Sequence, residues 1–183
     1  MNDPGSLPKN IILIGFMGCG KSTVGRELHQ RLGYPLIDMD HAIEQAARKP
    51  ISRIFADEGE TGFRDRETAL LRQLVEQATT CHIISTGGGI VVRPENRDLL
   101  RQLGYVVWLH ATPDTILDRT RRNSHRPLLQ TPDPAATIRA LLDQRIPWYA
   151  ETAHLKIETA GLDSTETASG ITECARYHFT QSP

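Results

Sequence analysis

The sequence predicts an α/β fold in which one parallel sheet is covered by helices on both faces. Two observations carry this. Short apolar runs alternate with longer stretches of helical periodicity along the chain, the pattern of successive βαβ units. The first run, Ile11-Ile12-Leu13-Ile14, leads into Gly15-Phe16-Met17-Gly18-Cys19-Gly20-Lys21-Ser22. That stretch matches G-x-x-x-x-G-K-[ST], a glycine loop that cradles phosphates between a strand and a helix. With 183 residues, a single domain with a sizeable core is the natural reading.

In chain order, the polar, proline-containing start predicts a flexible tail over residues 1–9, and one domain follows over residues 10–183. Asn10–Ile14 reads as the first strand. Thr23–Leu32 is the helix after the glycine loop, closed by Gly33 as its C′ residue. Pro35–Met39 is a short second strand. His41–Ala47 and Ser52–Asp57 read as short helices and Gly62–Gln77 as a longer one. Cys81–Ser85 is the third strand. Pro94–Gln102 is helical, and Gly104 stops it. Tyr105–Leu109 is the fourth strand. Thr112-Pro113-Asp114 is a helix start, with Thr as N-cap and Pro at N1, and that helix runs to about Arg122. Residues 123–132 read as an exposed loop. Pro134–Tyr149 is helical, His154–Ile157 is the fifth strand, and Ser164–Phe179 is the last helix.

Composition excludes several classes of function. A formal net charge of −1 gives no electrostatic reason to bind nucleic acid. No apolar run approaches the length of a membrane span, and the first ten residues lack the apolar segment of a signal peptide. Cys19, Cys81 and Cys174 have neither metal-ligand nor disulfide spacing, which points to a reducing compartment and the cytoplasm. The histidines also lack ligand spacing.

Ligands of open parallel sheets bind beyond the carboxyl ends of the strands. The glycine loop, Asp38-Met39-Asp40 and Gly87-Gly88-Gly89 each follow a predicted strand, so they are expected to share one crevice. In the glycine loop, backbone N–H groups of Gly18, Cys19, Gly20 and their neighbours converge on phosphate oxygens. Lys21 reaches the outer phosphates, and the Ser22 hydroxyl can ligate Mg²⁺. Asp38 and Asp40 offer one carboxylate to orient a cation through water and one to accept a hydrogen bond from an acceptor hydroxyl. Structurally, Asp40 also suits a cap on a helix starting at His41. Arg64 and Glu67 are three apart on a helix, where a surface pair contributes only about 0.2–0.5 kcal/mol. The alternative is a guanidinium held by Glu67 and aimed at a carboxylate. The triple glycine permits either a sharp turn or close approach of backbone to a ligand. Residues 119–129 hold Arg119, Arg121, Arg122 and Arg126. Such a run is either a solvated face or a lid that brings an arginine to a migrating phosphoryl group.

Taken in order and spacing, these motifs resemble shikimate kinase. The resemblance covers roughly residues 10–160. It rests on the glycine loop through Ser22, Asp38-Met39-Asp40, Gly62-Phe63-Arg64 with Glu67, Thr86-Gly87-Gly88-Gly89, Arg126-Pro127-Leu128-Leu129, and Arg145 followed by Tyr149. It implies a P-loop NTPase, nucleoside-monophosphate-kinase-like fold with a five-stranded parallel sheet and a mobile lid over about residues 120–132. It also implies ATP as co-substrate, Mg²⁺ as cofactor, and phosphorylation of the 3-hydroxyl of shikimate on the way to chorismate and the aromatic amino acids.

Carried onto this sequence, Asp40 hydrogen-bonds the acceptor hydroxyl, and Arg64 and Arg145 hold the substrate carboxylate. The backbone of Gly87, Gly88 and Gly89 contacts the ring hydroxyls. ATP is held by Gly18, Cys19, Gly20, Lys21, Ser22, Thr23, Arg119 along the adenine, and Arg126 from the lid. Asp38 supports Mg²⁺ through water, with Ser22 as direct ligand. Lys21, Asp40 and Arg126 carry the chemistry. A monomer is the expected state. Three departures from the family pattern stand out: Met39 in the middle of the D-x-D, Cys19 in the glycine loop, and an acidic Asp163–Thr167 on the adenine side. Gluconate also carries a carboxylate, so a gluconate kinase of the same fold is the nearest rival. The Gly62-Phe63-Arg64 stretch and the triple glycine favour shikimate. The chain has no D-x-x-G and no N-K-x-D, so a GTPase-type switch finds no support.

Overall fold

The computed structural model describes residues 9–120 and 131–181. All but Lys9 of the expected tail over residues 1–9, together with Arg121, Arg122, Arg126 and most of the expected lid, lie outside the described residues. The chain runs β1 (Asn10–Ile14), α1 (Lys21–Leu32), β2 (Leu36–Asp38), α2 (Met39–Ala47), α3 (Ile51–Glu76) and β3 (Ile83–Ser85). A 3₁₀ turn (Ile90–Val92) then leads into α4 (Pro94–Leu103), β4 (Gly104–His110), α5 (Pro113–Thr120), α6 (Pro134–Thr152), β5 (Leu155–Glu158) and α7 (Ser164–Gln181). The sheet is five-stranded in the order β2-β3-β1-β4-β5. Every pairing is parallel, so all five strands end at one edge.

Alternation explains why β1 reads as an unbroken apolar run. Successive strand residues point to opposite faces, and both faces are covered. Ile11 and Leu13 join a core with Val24 and Leu28 of α1 and Ile171 of α7. Ile12 and Ile14 join a second core with Met39, Leu71 of α3, Leu100 of α4 and Tyr149 of α6. Met39 is fully buried, so the middle of the D-x-D is a core position. A third, smaller cluster joins Ile43, Ile54 and Phe63. It ties α2 to α3, and the Phe55 and Phe63 rings lie 4.9 Å apart.

Three predicted boundaries are corrected. α2 starts at Met39, because Asp38 rather than Asp40 is its N-cap: an Asp38 carboxylate oxygen accepts from the His41 N–H. The two helices expected over Ser52–Asp57 and Gly62–Gln77 are both present but run closer together than expected: they meet within α3 at a break on Gly59, whose φ of 70° and ψ of −176° no helix accommodates. α6 continues past Tyr149 to Thr152 despite Pro147. Gly33 ends α1 in the left-handed conformation as expected, at φ 70°.

The amino ends of the strands are tied by one buried side chain. Asn10 donates to the carbonyls of Thr79 (2.6 Å) and Leu103 (2.9 Å) and accepts from the His82 N–H (2.9 Å). Gly104 pairs with it in the sheet. A β-carbon at Gly104 would stand 2.5 Å from the Asn10 carbonyl oxygen. Among the described residues no helix is long and apolar enough to cross a membrane.

Asn10→Ala leaves those three backbone groups without their partner, each at a desolvation cost. Chemical denaturation is expected to show a loss of about 3 kcal/mol or more. A loss below about 1 kcal/mol would mean that water replaces the amide without penalty.

Candidate active site

The glycine loop is held by backbone conformation. Gly15, Gly18 and Gly20 take φ values of 139°, 78° and 102°. Gly15 has no room for a side chain, since a β-carbon there would lie 2.3 Å from the Leu109 carbonyl oxygen. α1 begins directly on Lys21 with no side-chain cap, so its leading amides are left without a side-chain acceptor, the arrangement that suits an anion. The Lys21 ammonium is buried and donates to the carbonyls of Gly15 (2.7 Å) and Phe16 (3.0 Å). Cys19 is buried beneath the loop, with its Sγ 3.6 Å from Lys21 Nζ. Ser22 Oγ donates to Asp38 Oδ2 at 3.3 Å.

Gly18 to Ser22 and Asp38 line a cleft of about 520 Å³. It runs from the glycine loop past Asp38, Asp40 and Gly88 on one side to Arg119, Leu162 and Asp163 on the other. Arg119 Nη1 donates to the Gly18 carbonyl at 3.2 Å, which ties α5 to the loop.

Past Asp40 the cleft abuts a buried charge cluster. Arg64 and Glu67, on consecutive turns of α3, are 5% and 1% exposed. Arg64 Nη1 donates to Glu67 Oε2 at 2.5 Å. The expectation of a weak surface pair is therefore corrected: the pair is buried, and breaking it would strand a charge. The loop after β3 is shaped around this pair. A β-carbon at Gly89 would stand 2.1 Å from Arg64 Nη2. One at Gly87 would stand 2.6 Å from Glu67 Oε1 and 3.0 Å from Asp40 Oδ1. The glycines thus admit the protein's own charged groups to the loop, a role the bare triplet did not reveal. The Gly88 carbonyl accepts from Arg145 Nη1 at 3.3 Å and from the Tyr149 hydroxyl. Arg145 is itself buried over the Phe16 ring, 5.5 Å from its centroid, and its Nε has no partner among the described residues.

The family model described as Shikimate kinase matches residues 17–176. The chain belongs to the shikimate kinase family. The shikimate kinase of Neisseria meningitidis serogroup C (strain 053442) is 52% identical over 156 residues, covering 85% of this chain and 90% of that one. The shikimate kinase of Marinomonas sp. (strain MWYL1) is 46% identical over 170 residues, 93% of each chain. Among solved structures, shikimate kinase from Acinetobacter baumannii in complex with shikimate superposes with a TM-score of 0.89 at 40% identity. It covers 98% of this chain and 97% of that one. A gluconokinase from Sinorhizobium meliloti, at 19% identity and a TM-score of 0.61 over 97% of this chain and 99% of that one, shares the fold alone.

Within this shikimate kinase fold, the cleft brings together Gly18, Cys19, Gly20, Lys21, Ser22, Thr23, Asp38, Asp40, Gly88 and Arg119. Arg64, Gly87, Gly89 and Arg145 are not on its lining. They join it through the contacts just described at Asp40 and Gly88. Arg126 lies outside the described residues. Two features escaped the sequence reading. Tyr149 hydroxyl anchors the Gly88 carbonyl; burial pushes its phenol above the ordinary value, which keeps the donor proton in place. The acidic segment after β5 is a capping box: Asp163 accepts from the Glu166 N–H (2.8 Å), and Glu166 accepts from the Asp163 N–H (3.0 Å). The D-x-x-E spacing was its visible signal.

Burial is also the largest influence on Glu67, pushing its carboxyl up to about 7. Arg64 and Arg145 oppose the shift and Asp40 reinforces it. For Arg64, burial pulls downward, but Glu67 and Glu60 outweigh it and hold the guanidinium above its ordinary value. Among the described residues no three His, Cys, Asp or Glu side chains cluster as a metal site. The Ser22 hydroxyl and the Asp38 carboxylate, 3.3 Å apart at the foot of the glycine loop, are the oxygens that would face a cation there. Two hard oxygens, with phosphates and waters completing the shell, fit Mg²⁺.

A carboxyl raised by folding takes up a proton in the folded state that the unfolded chain lacks, so its contribution to stability falls as pH rises. Relative to Glu67→Gln, the wild type is expected to lose stability between about pH 4.5 and pH 7, measured as the difference in Tm across that range. A constant difference would place the Glu67 carboxyl at its ordinary value. Gly89→Ala is expected to cost about 1–3 kcal/mol by overpacking against Arg64, read by chemical denaturation. A neutral substitution would show that the guanidinium moves aside freely.

Proposed function

We propose that this chain transfers the γ-phosphoryl group of ATP to the 3-hydroxyl of shikimate, giving shikimate 3-phosphate and ADP, in chorismate and aromatic amino acid biosynthesis. The observation that carries this reading is the pair of buried guanidinium groups, Arg64 and Arg145, on the two sides of the Gly87–Gly89 loop. That loop meets Asp40 at Gly87 and contributes Gly88 to the cleft that Lys21 and Asp40 also line. Two fixed cations next to a carboxylate suit a small acid that also bears hydroxyls.

In this reading Arg64 and Arg145 bind the shikimate carboxylate, and the Gly87–Gly89 backbone meets the ring hydroxyls. Asp40 hydrogen-bonds the 3-hydroxyl and orients its oxygen toward the γ-phosphorus. As the new P–O bond forms, the bond from the γ-phosphorus to the bridging oxygen breaks, ADP leaves, and the hydroxyl proton passes to Asp40. Lys21 swings from the Gly15 and Phe16 carbonyls onto the phosphates, and the leading amides of α1, with Ser22 and Thr23, hold them. Arg119 lies along the base, and Arg126 of the lid adds positive charge at the migrating group. Ser22 directly, and Asp38 through water, would hold Mg²⁺, which would supply neutralisation of phosphate charge. Positioning and charge stabilisation account for catalysis of this kind. A monomer is the proposed active unit. Cys19, Cys81 and Cys174 are not joined in disulfides, which supports a reducing compartment and a cytoplasmic location.

A coupled ADP-release assay with shikimate as sole acceptor tests the reaction. Each charge-assisted hydrogen bond to substrate contributes about 1.5–3 kcal/mol. Arg64→Ala and Arg145→Ala are therefore each expected to raise the shikimate KM by about tenfold or more, with the ATP KM unchanged. Shikimate KM values equal to wild type in both variants would contradict the assignment. Asp40→Asn is expected to lower kcat by about 100-fold or more.

A further inference from the structure

Arg64 is held by a second carboxylate that differs from Glu67 in every useful respect. Glu60 Oε1 accepts from Arg64 Nε at 3.3 Å and from Nη2 at 2.9 Å. It therefore occupies the Nε–Nη2 edge of the guanidinium, one of the edges that bind a carboxylate through two parallel N–H groups. Glu67 holds the opposite corner, Nη1, from a buried position. The Glu60 side chain is 51% exposed, and Glu60 is the first residue after the break in α3 at Gly59. Gly89 packs against the guanidinium, so the fork cannot easily turn to offer a different edge. The partner that can leave is Glu60.

We propose that Glu60 is a displaceable stand-in for the substrate's carboxylate. Without substrate, it satisfies the Nε–Nη2 edge that Glu67 leaves uncovered and keeps the fork aligned. An incoming acid takes over those N–H groups, and Glu60 returns to water. Glu67 stays in place throughout, so the guanidinium does not move. The exchange gives selectivity. A half-exposed ion pair between residues four apart on a helix is weak, so an acid also held by Arg145 and the glycine loop displaces it. A simple anion that has only Arg64 to bind does not. This inference rests on the assignment of Arg64 to the substrate carboxylate.

The test compares wild type with Glu60→Gln in the ADP-release assay, with shikimate varied at saturating ATP. Removing the competing charge is expected to lower the shikimate KM by about two- to fivefold, with kcat unchanged. Sodium acetate and sodium chloride are expected to become stronger competitors of shikimate in the variant, because Arg64 no longer carries its own counter-charge. A Glu60 that merely braces Arg64 predicts the opposite sign, so an equal or higher KM in the variant overturns the proposal. So does unchanged sensitivity to both anions. Thr61→Ala, an exposed neighbour, serves as the control for local disturbance and is expected to match wild type. Arg64→Ala run alongside separates the two levels of inference. If its shikimate KM equals wild type, the carboxylate assignment fails and this proposal falls with it. If its KM rises while Glu60→Gln does not lower KM, only the stand-in role fails.

Discussion

The interaction on which the site depends is the buried pair Arg64–Glu67, pressed against a loop of three glycines. A guanidinium with 5% of its surface exposed stays charged, and the interior tolerates that charge because a carboxylate accompanies it. That carboxylate also suffers from burial, and one of its oxygens, Oε1, has no hydrogen-bond partner among the described residues. The protein thus holds an unfavourable arrangement in place beside Asp40. Such strain persists where the surrounding packing fixes it, and it is characteristic of functional sites. Here the packing is the second core, with Leu71 one turn beyond Glu67, and the third cluster, with Phe63 adjacent to Arg64.

The parallel sheet supplies the rest. Because every strand runs the same way, the loop after β1, the start of α2 after β2 and the glycine loop after β3 emerge at one edge. Asp38 pairs with Ser85 in the register of β2 and β3, and Ser85 pairs with Leu13 of β1. A few residues after each of these come Asp40, Gly87 and the phosphate loop. Helix starts then complete the chemistry. α1 begins on Lys21 with open amides, and α2 begins under an Asp38 cap that frees Asp40 to face the cleft.

Much of this was legible in the sequence. The strands and their order of appearance followed from apolar runs, and the glycine loop followed from a motif whose spacing has a mechanical cause. Gly33 and the Thr112-Pro113 helix start were readable because chain geometry permits few residue types there. What escaped the reading depends on tertiary packing. The i, i+3 spacing of Arg64 and Glu67 is the same on a surface as in a core, so burial could not be read from it. Three consecutive glycines say that side chains are excluded without saying by what; the excluding atoms come from α2 and α3. Asp38 and Asp40 are both competent caps, and only the position of Met39 in the core decides between them. The bridging of Gly88 by Arg145 and Tyr149 joins residues about 60 apart in sequence, which no local pattern encodes.

The central claim is that Glu67 and Arg64 act on substrate as one unit. Calorimetric titration of shikimate in the presence of ADP and Mg²⁺ tests it with Glu67→Gln, Arg64→Ala and the double variant. If the pair is one unit, the double variant binds shikimate no more weakly than Arg64→Ala alone, because Glu67 works only through the guanidinium. Losses that add, with the double variant weaker by the sum of both single effects, would contradict it.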